Sequence, residues 1–239
     1  MNFLDELSDY CKKNLTIYGF ADVTGYTDRI VSDELKEYTH AVSIGINIPD
    51  VIVDNLGTTE GLSEYKKAYT KINLLLDESV SDIVKIIKKH GYKAQGVYAS
   101  RILDNGNLEG DISHKLVAYL SGQGWIGKST LLINPHYGPR IRWATILTDC
   151  ILPSNNRIVE SRCANCNLCV VNCPVNAFKN VEFNENESRD ARYDAFKCKD
   201  YFGKLETDGK AGLCGLCVKV CPWGVVNKNS RIKDDLTKL

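Results

Sequence analysis

Apolar positions follow two rhythms along the chain, and both fade near residue 150. Ala41 to Ile48 (AVSIGINI) is a short apolar run closed by Pro49, which predicts a buried strand. From Glu64 to His90 the apolar residues Tyr65, Ala68, Tyr69, Ile72, Leu75, Leu76, Ile83, Ile86 and Ile87 keep near-helical spacing. Gly91 follows as a stop, so this stretch predicts one long amphipathic helix. Val97 to Ser100 reads as a second strand. Asp111 to Ser121 reads as a helix capped by Asp111 or Ser113. Thr130 to Ile133 and Ile141 to Thr148 read as strands separated by the turn-rich NPHYGP. A helix is also expected at the N-terminus, around Cys11.

Beyond Asp149 the pattern changes. Pro153 to Arg157 (PSNNR) reads as a polar linker, and from Ser161 the chain is organised around cysteines rather than apolar periodicity. That is expected where metal clusters replace a hydrophobic core. Lys228 to Leu239 is polar and reads as a tail. The expected fold class is α+β. An α/β domain spans about residues 1–155, a ferredoxin-like module 156–227 and the tail 228–239.

Composition narrows the function classes. Lys plus Arg is 30 and Asp plus Glu is 30 in 239 residues, so no global positive field points to nucleic acid. No run of about 18 apolar residues exists, and no membrane partner is expected. The start, MNFLDELSDYCKKN, lacks the basic and apolar regions of a secretory signal. Of ten cysteines, nine lie at or after Cys150, and eight of those fall in tight groups. Such clustering points to metal ligation in a reducing compartment, and so to a cytoplasmic protein.

The cysteine spacing carries the chemistry. Cys163, Cys166, Cys169 and Cys173 form C-x2-C-x2-C-x3-C followed by Pro174, the bacterial ferredoxin run. Three closely spaced thiolates wrap one cubane, and the fourth is carried off to the other. Cys214, Cys217 and Cys221 repeat the end of the run before Pro222, and Cys198 is the nearby residue that completes the second set. The expected sets are Cys163, Cys166, Cys169 and Cys221 for one cluster, and Cys198, Cys214, Cys217 and Cys173 for the other. A pair of zinc knuckles is the alternative, since C-x2-C pairs also serve zinc. Two Cys-Pro closures favour two 4Fe–4S clusters. Cys150 ends an apolar strand and reads as a small buried residue, Cys11 sits on the expected N-terminal helix, and neither is expected to ligate metal.

Gly122 to Thr130 (GQGWIGKST) matches both G-x-x-x-x-G-K-[ST] and G-x-G-x-x-G. A phosphate loop must follow a strand and open a helix. Here a helix is expected before the glycines, and only Leu131 to Pro135 comes after them. ATP binding is therefore not expected. Gly122, Gly124 and Gly127, with Trp125 and Lys128, read either as backbone that a flat cofactor approaches closely or as a tight helix-to-strand turn.

GWIGKSTLLI (Gly124 to Ile133), GPRIRWATILTD (Gly138 to Asp149), CANCNLCVVNCPVNAF, FKCKDY and CGLCVKVCPWG together resemble the cobalamin-dependent epoxyqueuosine reductases and their short relatives, whose fold reductive dehalogenases share. The resemblance implies a corrinoid-binding α/β domain, with cobalamin base-off beside one cluster. Gly122, Gly124, Trp125, Gly127 and Lys128 are then the cofactor-binding candidates. It also implies an acid upstream of GWIGK that donates a proton. Asp111 in GDISHK is the candidate, with His114 the alternative. Without that role, Asp111 is a helix cap and His114 a solvated residue. The family's DSAP segment is not present, and the tRNA-modifying members continue into helical repeats beyond the point where this chain ends.

The expected function is an iron–sulfur oxidoreductase that passes low-potential electrons through two 4Fe–4S clusters to cobalamin. Its electron donor would be of ferredoxin or flavodoxin type, and its substrate a small molecule or a corrinoid protein. One alternative is an electron carrier that reduces a partner's corrinoid. The other is a tRNA epoxyqueuosine reductase, disfavoured by the balanced charge and the missing repeats.

Overall fold

The computed structural model describes residues 2–103, 106–154 and 158–225. In chain order the elements are α1 (Phe3–Asn14), β1 (Ile17–Asp22), β2 (His40–Asn47), α2 (Asp50–Asp54), α3 (Thr59–Lys89), β3 (Ala94–Val97), α4 (His114–Leu120), β4 (Trp125–Ile126), β5 (Leu132–Ile133), β6 (Ile141–Thr148), α5 (Leu168–Val171), α6 (Ala195–Thr207) and α7 (Leu216–Lys219). The chain divides into two compact units. One takes residues 1–46, 71–123 and 142–159; the other takes 47–70, 124–141 and 160–239. The cysteine-bearing unit thus includes two segments from the first 155 residues. The expected tail, 228–239, lies outside the described residues.

The first unit is built on a four-stranded sheet of order β1-β2-β6-β3, with β1 antiparallel to β2 and β3 antiparallel to β6. From His40 to Gly45 every residue of β2 is buried, as is all of β6 apart from Arg142. Near-continuous burial requires cover on both faces and explains why these strands read as unbroken apolar runs. Leu76, Val80, Ile83 and Ile87 of α3 are fully buried at helical spacing, each worth roughly 1.5–3 kcal/mol of burial. Gly96 lacks the side chain that would block this packing: a Cβ there would stand 2.4 Å from Val80 Cγ1. Leu7 and Cys11 of α1 join the same core.

The periodic segments appear where expected, with four differences. The second strand lies at Ala94–Val97 rather than 97–100, and Thr130–Ile133 contributes only Leu132–Ile133. The edge strand β1 is half-buried throughout except for Ala21, so it carries no clean alternation to read. The thirteen-residue α6 stands in a region expected to be poor in periodic structure. Asp194 caps it by accepting from the Lys197 amide at 3.0 Å.

Ser113, not Asp111, caps α4, its hydroxyl accepting from the Leu116 amide at 3.4 Å. His114, the first residue of α4, is not a solvated side chain. Its Nε2 donates to the Tyr98 carbonyl at 3.1 Å, and its Nδ1 lies 2.9 Å from Thr145 Oγ1. Because a carbonyl can only accept, the proton of the neutral ring sits on Nε2 and Thr145 donates to Nδ1. Burial pushes the His114 pKa down to about 4, with Arg142 and Lys115 adding to the effect. An unfolded His114 takes up its proton near pH 6.5, whereas the folded one resists until about 4. Stability is therefore lost as pH falls through that window, by up to about 1.4 kcal/mol per pH unit. We expect denaturant unfolding between pH 7 and 4.5 to show this slope in the wild type. It should be shallower in His114→Gln, which keeps a donor for Tyr98 but cannot titrate.

Candidate metal centre

The second unit repeats a short piece of chain. Leu168-Cys169-Val170-Val171-Asn172-Cys173-Pro174 and Leu216-Cys217-Val218-Lys219-Val220-Cys221-Pro222 each open with a one-turn helix, α5 or α7, whose second residue is a cysteine. The two short helices pack together. Each run then ends on a Cys-Pro, where proline cannot continue a helix. Cys163 and Cys166 sit on the loop before α5, tightened by the bond from the Cys166 amide to the Cys163 carbonyl. Cys214 precedes Gly215, which holds φ +74° at the N-cap of α7. Cys198 comes from α6.

The environments of the thiols show which lie together. Burial, then the neighbouring Cys163 and Cys166, pushes Cys169 up to about 11. Burial, with Cys163 and Cys169 adding, pushes Cys221 up to about 11. Cys198 is raised by burial and by Cys173, and Cys214 by burial and by Cys198 and Cys173. Cys217 is raised mainly by burial, then by Cys214 and Cys198, with smaller effects of Cys169 and Cys173. Cys173, Cys198, Cys214 and Cys217 line one cavity, closed by Phe178, Tyr201 and Phe202. The fold thus brings together Cys163, Cys166, Cys169 and Cys221 on one side and Cys173, Cys198, Cys214 and Cys217 on the other. Each run lends its last cysteine to the other set. Each set brings four thiols together, and the ferredoxin spacing of the two runs, each closed by Cys-Pro, fits two cubanes. Cys11 and Cys150 are both buried, and burial raises the Cys11 thiol to about 12.

Several contacts that the sequence does not announce support these thiols. The Ala177 amide donates to Cys173 Sγ at 3.3 Å. The Tyr193 hydroxyl hydrogen-bonds to Cys198, and its ring stacks on Phe178 at 5.2 Å. Arg162 lies over Trp125 and Trp223, whose rings meet edge to face at 5.1 Å. Arg140 is 1 % exposed and forks onto Asp50 at 2.6 Å and Asp54 at 2.9 Å. Its side chain also packs on Gly224, where a Cβ would stand 2.7 Å from Nε.

The glycine segment is spent on the chain itself. Gly122, at φ +75°, ends α4 in a Schellman turn: its amide donates to Tyr119 and that of Gln123 to Ala118. Gly124 opens the β4–β5 hairpin, where a Cβ would stand 2.2 Å from the Ile133 carbonyl oxygen. Gly127 is pressed against Ile133 and Cys163, and its amide donates to Leu131. Trp125 is 1 % exposed, beneath Arg162 and Trp223, and presents no open face. Lys128 donates to the carbonyls of Ala164 at 2.7 Å and Cys166 at 3.4 Å. A helix precedes these glycines and a hairpin follows, so the segment lacks the geometry of a phosphate loop. Gly122, Gly124, Trp125, Gly127 and Lys128 thus each have close partners within the chain.

Asp111 is 2 % exposed and lies in the first unit. Ser32 Oγ donates to its Oδ1 at 2.5 Å, and Arg101 Nε lies 3.6 Å from its Oδ2. Among the described residues Oδ2 has no hydrogen-bond partner. His114 has its single ring proton committed to Tyr98, as described above.

Two outcomes follow from this geometry. Anaerobic protein should hold about eight irons, and Cys173→Ser should damage the cluster that takes Cys214 and Cys217, while Cys221→Ser damages that of Cys163, Cys166 and Cys169. Loss of only the cluster of its own run in either variant would refute the crossed sets, as read by iron content and electron paramagnetic resonance. Gly124→Ala should cost about 2–4 kcal/mol in denaturant unfolding, since backbone must move to admit the methyl group. Gly203→Ala, with nothing within 4 Å, should be tolerated.

Residues 162–224 match the family of 4Fe–4S double cluster binding domains. An epoxyqueuosine reductase of Synechococcus sp. (strain RCC307) is 31 % identical over 103 residues, covering 43 % of this chain and 32 % of the relative. The chain spans less than half the length of such curated relatives. Among solved structures, an epoxyqueuosine reductase from Bacillus subtilis superposes with a TM-score of 0.65 at 16 % identity, over 95 % of this chain and 67 % of that one. A second, with an epoxyqueuosine-modified tRNA-Tyr stem loop, gives 0.58 at 19 %, over 95 % and 67 %. A reductive dehalogenase described as suggesting a mechanism for B12-dependent dehalogenation gives 0.65 at 19 %, over 90 % and 31 %. Residues 162–224 are thus a 4Fe–4S double-cluster domain, carried by a chain with the fold that epoxyqueuosine reductases and reductive dehalogenases share.

Proposed function

We propose that the protein is an iron–sulfur oxidoreductase, similar to epoxyqueuosine reductase, which relays single electrons through two 4Fe–4S clusters to a corrinoid acceptor. The observation that carries the redox reading is the pair of four-thiol sets, interleaved between two cysteine runs in one unit. Cys163, Cys166, Cys169 and Cys221 would hold one cluster, and Cys173, Cys198, Cys214 and Cys217 the other. Sharing cysteines between runs ties the two clusters to one piece of chain, which suits transfer between them. Electrons enter from a soluble low-potential donor of ferredoxin or flavodoxin type. No helix among the described residues is long and apolar enough to cross a membrane.

The corrinoid acceptor rests on the shared fold and on the B12-dependent reductive dehalogenase within it. When bound, such a group supplies a strongly reducing, nucleophilic cobalt. The sequence has no D-x-H-x-x-G run to supply a lower histidine ligand, which favours base-off binding. Asp111 remains the candidate proton donor, since the single proton of the neutral His114 ring is committed to Tyr98; Asp111 Oδ2 has no hydrogen-bond partner among the described residues and lies 3.6 Å from Arg101 Nε.

A second reading, tRNA epoxyqueuosine reductase, is favoured by the curated relatives and by the stem-loop complex. The two are separated by experiment. Cob(II)alamin added to anaerobic, cluster-loaded protein should shift to a base-off spectrum. An unchanged spectrum would reduce the protein to an electron carrier. Turnover of epoxyqueuosine-containing tRNA, or binding of it at physiological salt well below micromolar, would promote the tRNA reading, because contacts to phosphate alone weaken steeply with salt.

A further inference from the structure

Lys128 is 8 % exposed, an unusual position for a lysine. Its ammonium is turned onto the loop between Cys163 and Cys166, donating to the Ala164 carbonyl at 2.7 Å and the Cys166 carbonyl at 3.4 Å. Gly127, its neighbour, lies so close to the same loop that a Cβ there would stand 3.3 Å from Cys163 Sγ. Glu182 lies 3.8 Å from the ammonium but is itself 46 % exposed. Its other oxygen accepts from Ser161 Oγ at 2.7 Å, and that hydroxyl accepts from the Cys163 amide at 3.4 Å. One buried cation and one half-exposed anion therefore grip the same cysteine loop from the side of the β4–β5 hairpin.

We propose that Lys128 is the tuning residue of the cluster held by Cys163, Cys166, Cys169 and Cys221, its fixed positive charge favouring the reduced cluster over the oxidised one. Reduction adds one electron, supplied by a one-electron donor, and no bond or proton changes place. The cluster gains one negative charge, and a nearby charge shielded from water acts on it strongly. A clamp that only shaped the loop would need a donor, which a neutral amide also provides. The ammonium adds charge to that role. The inference rests on the double-cluster domain and not on the corrinoid acceptor, so an unchanged cobalamin spectrum leaves it standing.

The test is a redox titration of anaerobic, cluster-loaded protein, reduced by dithionite and followed by electron paramagnetic resonance. The signal lost in Cys221→Ser identifies the cluster concerned. Lys128→Gln should lower its reduced-to-oxidised ratio about tenfold at a fixed potential, which is about 59 mV for a one-electron couple. The other cluster should move far less. Lys128→Arg should stay near the wild type. Glu182→Gln, which removes the opposing charge, should raise the same ratio. A wild-type ratio in Lys128→Gln, or an equal shift of both clusters, would overturn the proposal and leave Lys128 as a structural clamp. If Lys128→Gln fails to load, Glu182→Gln decides: a rise confined to that cluster supports the proposal, and no rise overturns it.

Discussion

Eight thiols must be held at fixed positions by a stretch of chain that has little apolar core of its own. This constraint organises the cysteine-bearing unit. The loop carrying Cys163 and Cys166 turns its carbonyls inward, and a buried polar group without a partner costs about 1–3 kcal/mol. Lys128 satisfies two of those carbonyls at once, from a hairpin whose own backbone is already paired. The Cys-Pro end of the second run meets a similar solution. Arg140 is locked by Asp50 and Asp54, and Gly138 and Gly224 let the two backbones touch where any side chain would clash. Side-chain cations and missing side chains do here what interdigitated leucines do in the first unit.

This explains why some of the molecule can be read from its sequence and some cannot. The strands β2 and β6 and the helix α3 pack in a conventional core, so their apolar spacing survives in the sequence. The eight cysteines are legible because a cubane fixes ligand spacing chemically. The edge strand β1 and helix α6 are harder to see. The first is half-buried except at Ala21, and only Ala195 and Leu205 of α6 are buried, too few to set a period. Arg140, Arg162 and Tyr193 work through contacts between distant segments, and no local pattern marks them.

The glycines of GQGWIGKST show how one motif can support several readings until topology decides. A phosphate loop, a cofactor cradle and a hairpin entry all need backbone free of side chains, for three different neighbours. Here the neighbours are the end of α4, the Ile133 carbonyl and Cys163. The glycines are close-approach sites in each reading; what differs is that the approaching group is this chain. Trp125 follows the same logic. Its indole fills the space beneath Trp223 and Arg162.

The Lys128 site is also expensive in a way that bears on its role. Removing an ammonium from water costs several kcal/mol unless the surroundings return it. Two carbonyls and a half-exposed glutamate return only part of that, since the ion pair with Glu182 is long and partly wetted. A methionine of similar volume would fill the hairpin with no such desolvation cost, leaving the two carbonyls to other donors or to water. On stability alone the cation is a poor choice. It becomes a sensible one if the loop it grips holds a centre whose charge changes in use. An ammonium fixed by carbonyls is then a favourable field already in place, with no groups to rearrange when the electron arrives. The same bonds that curve the cysteine loop set its electrostatics, so the shape of this site and its redox behaviour are one property of the chain.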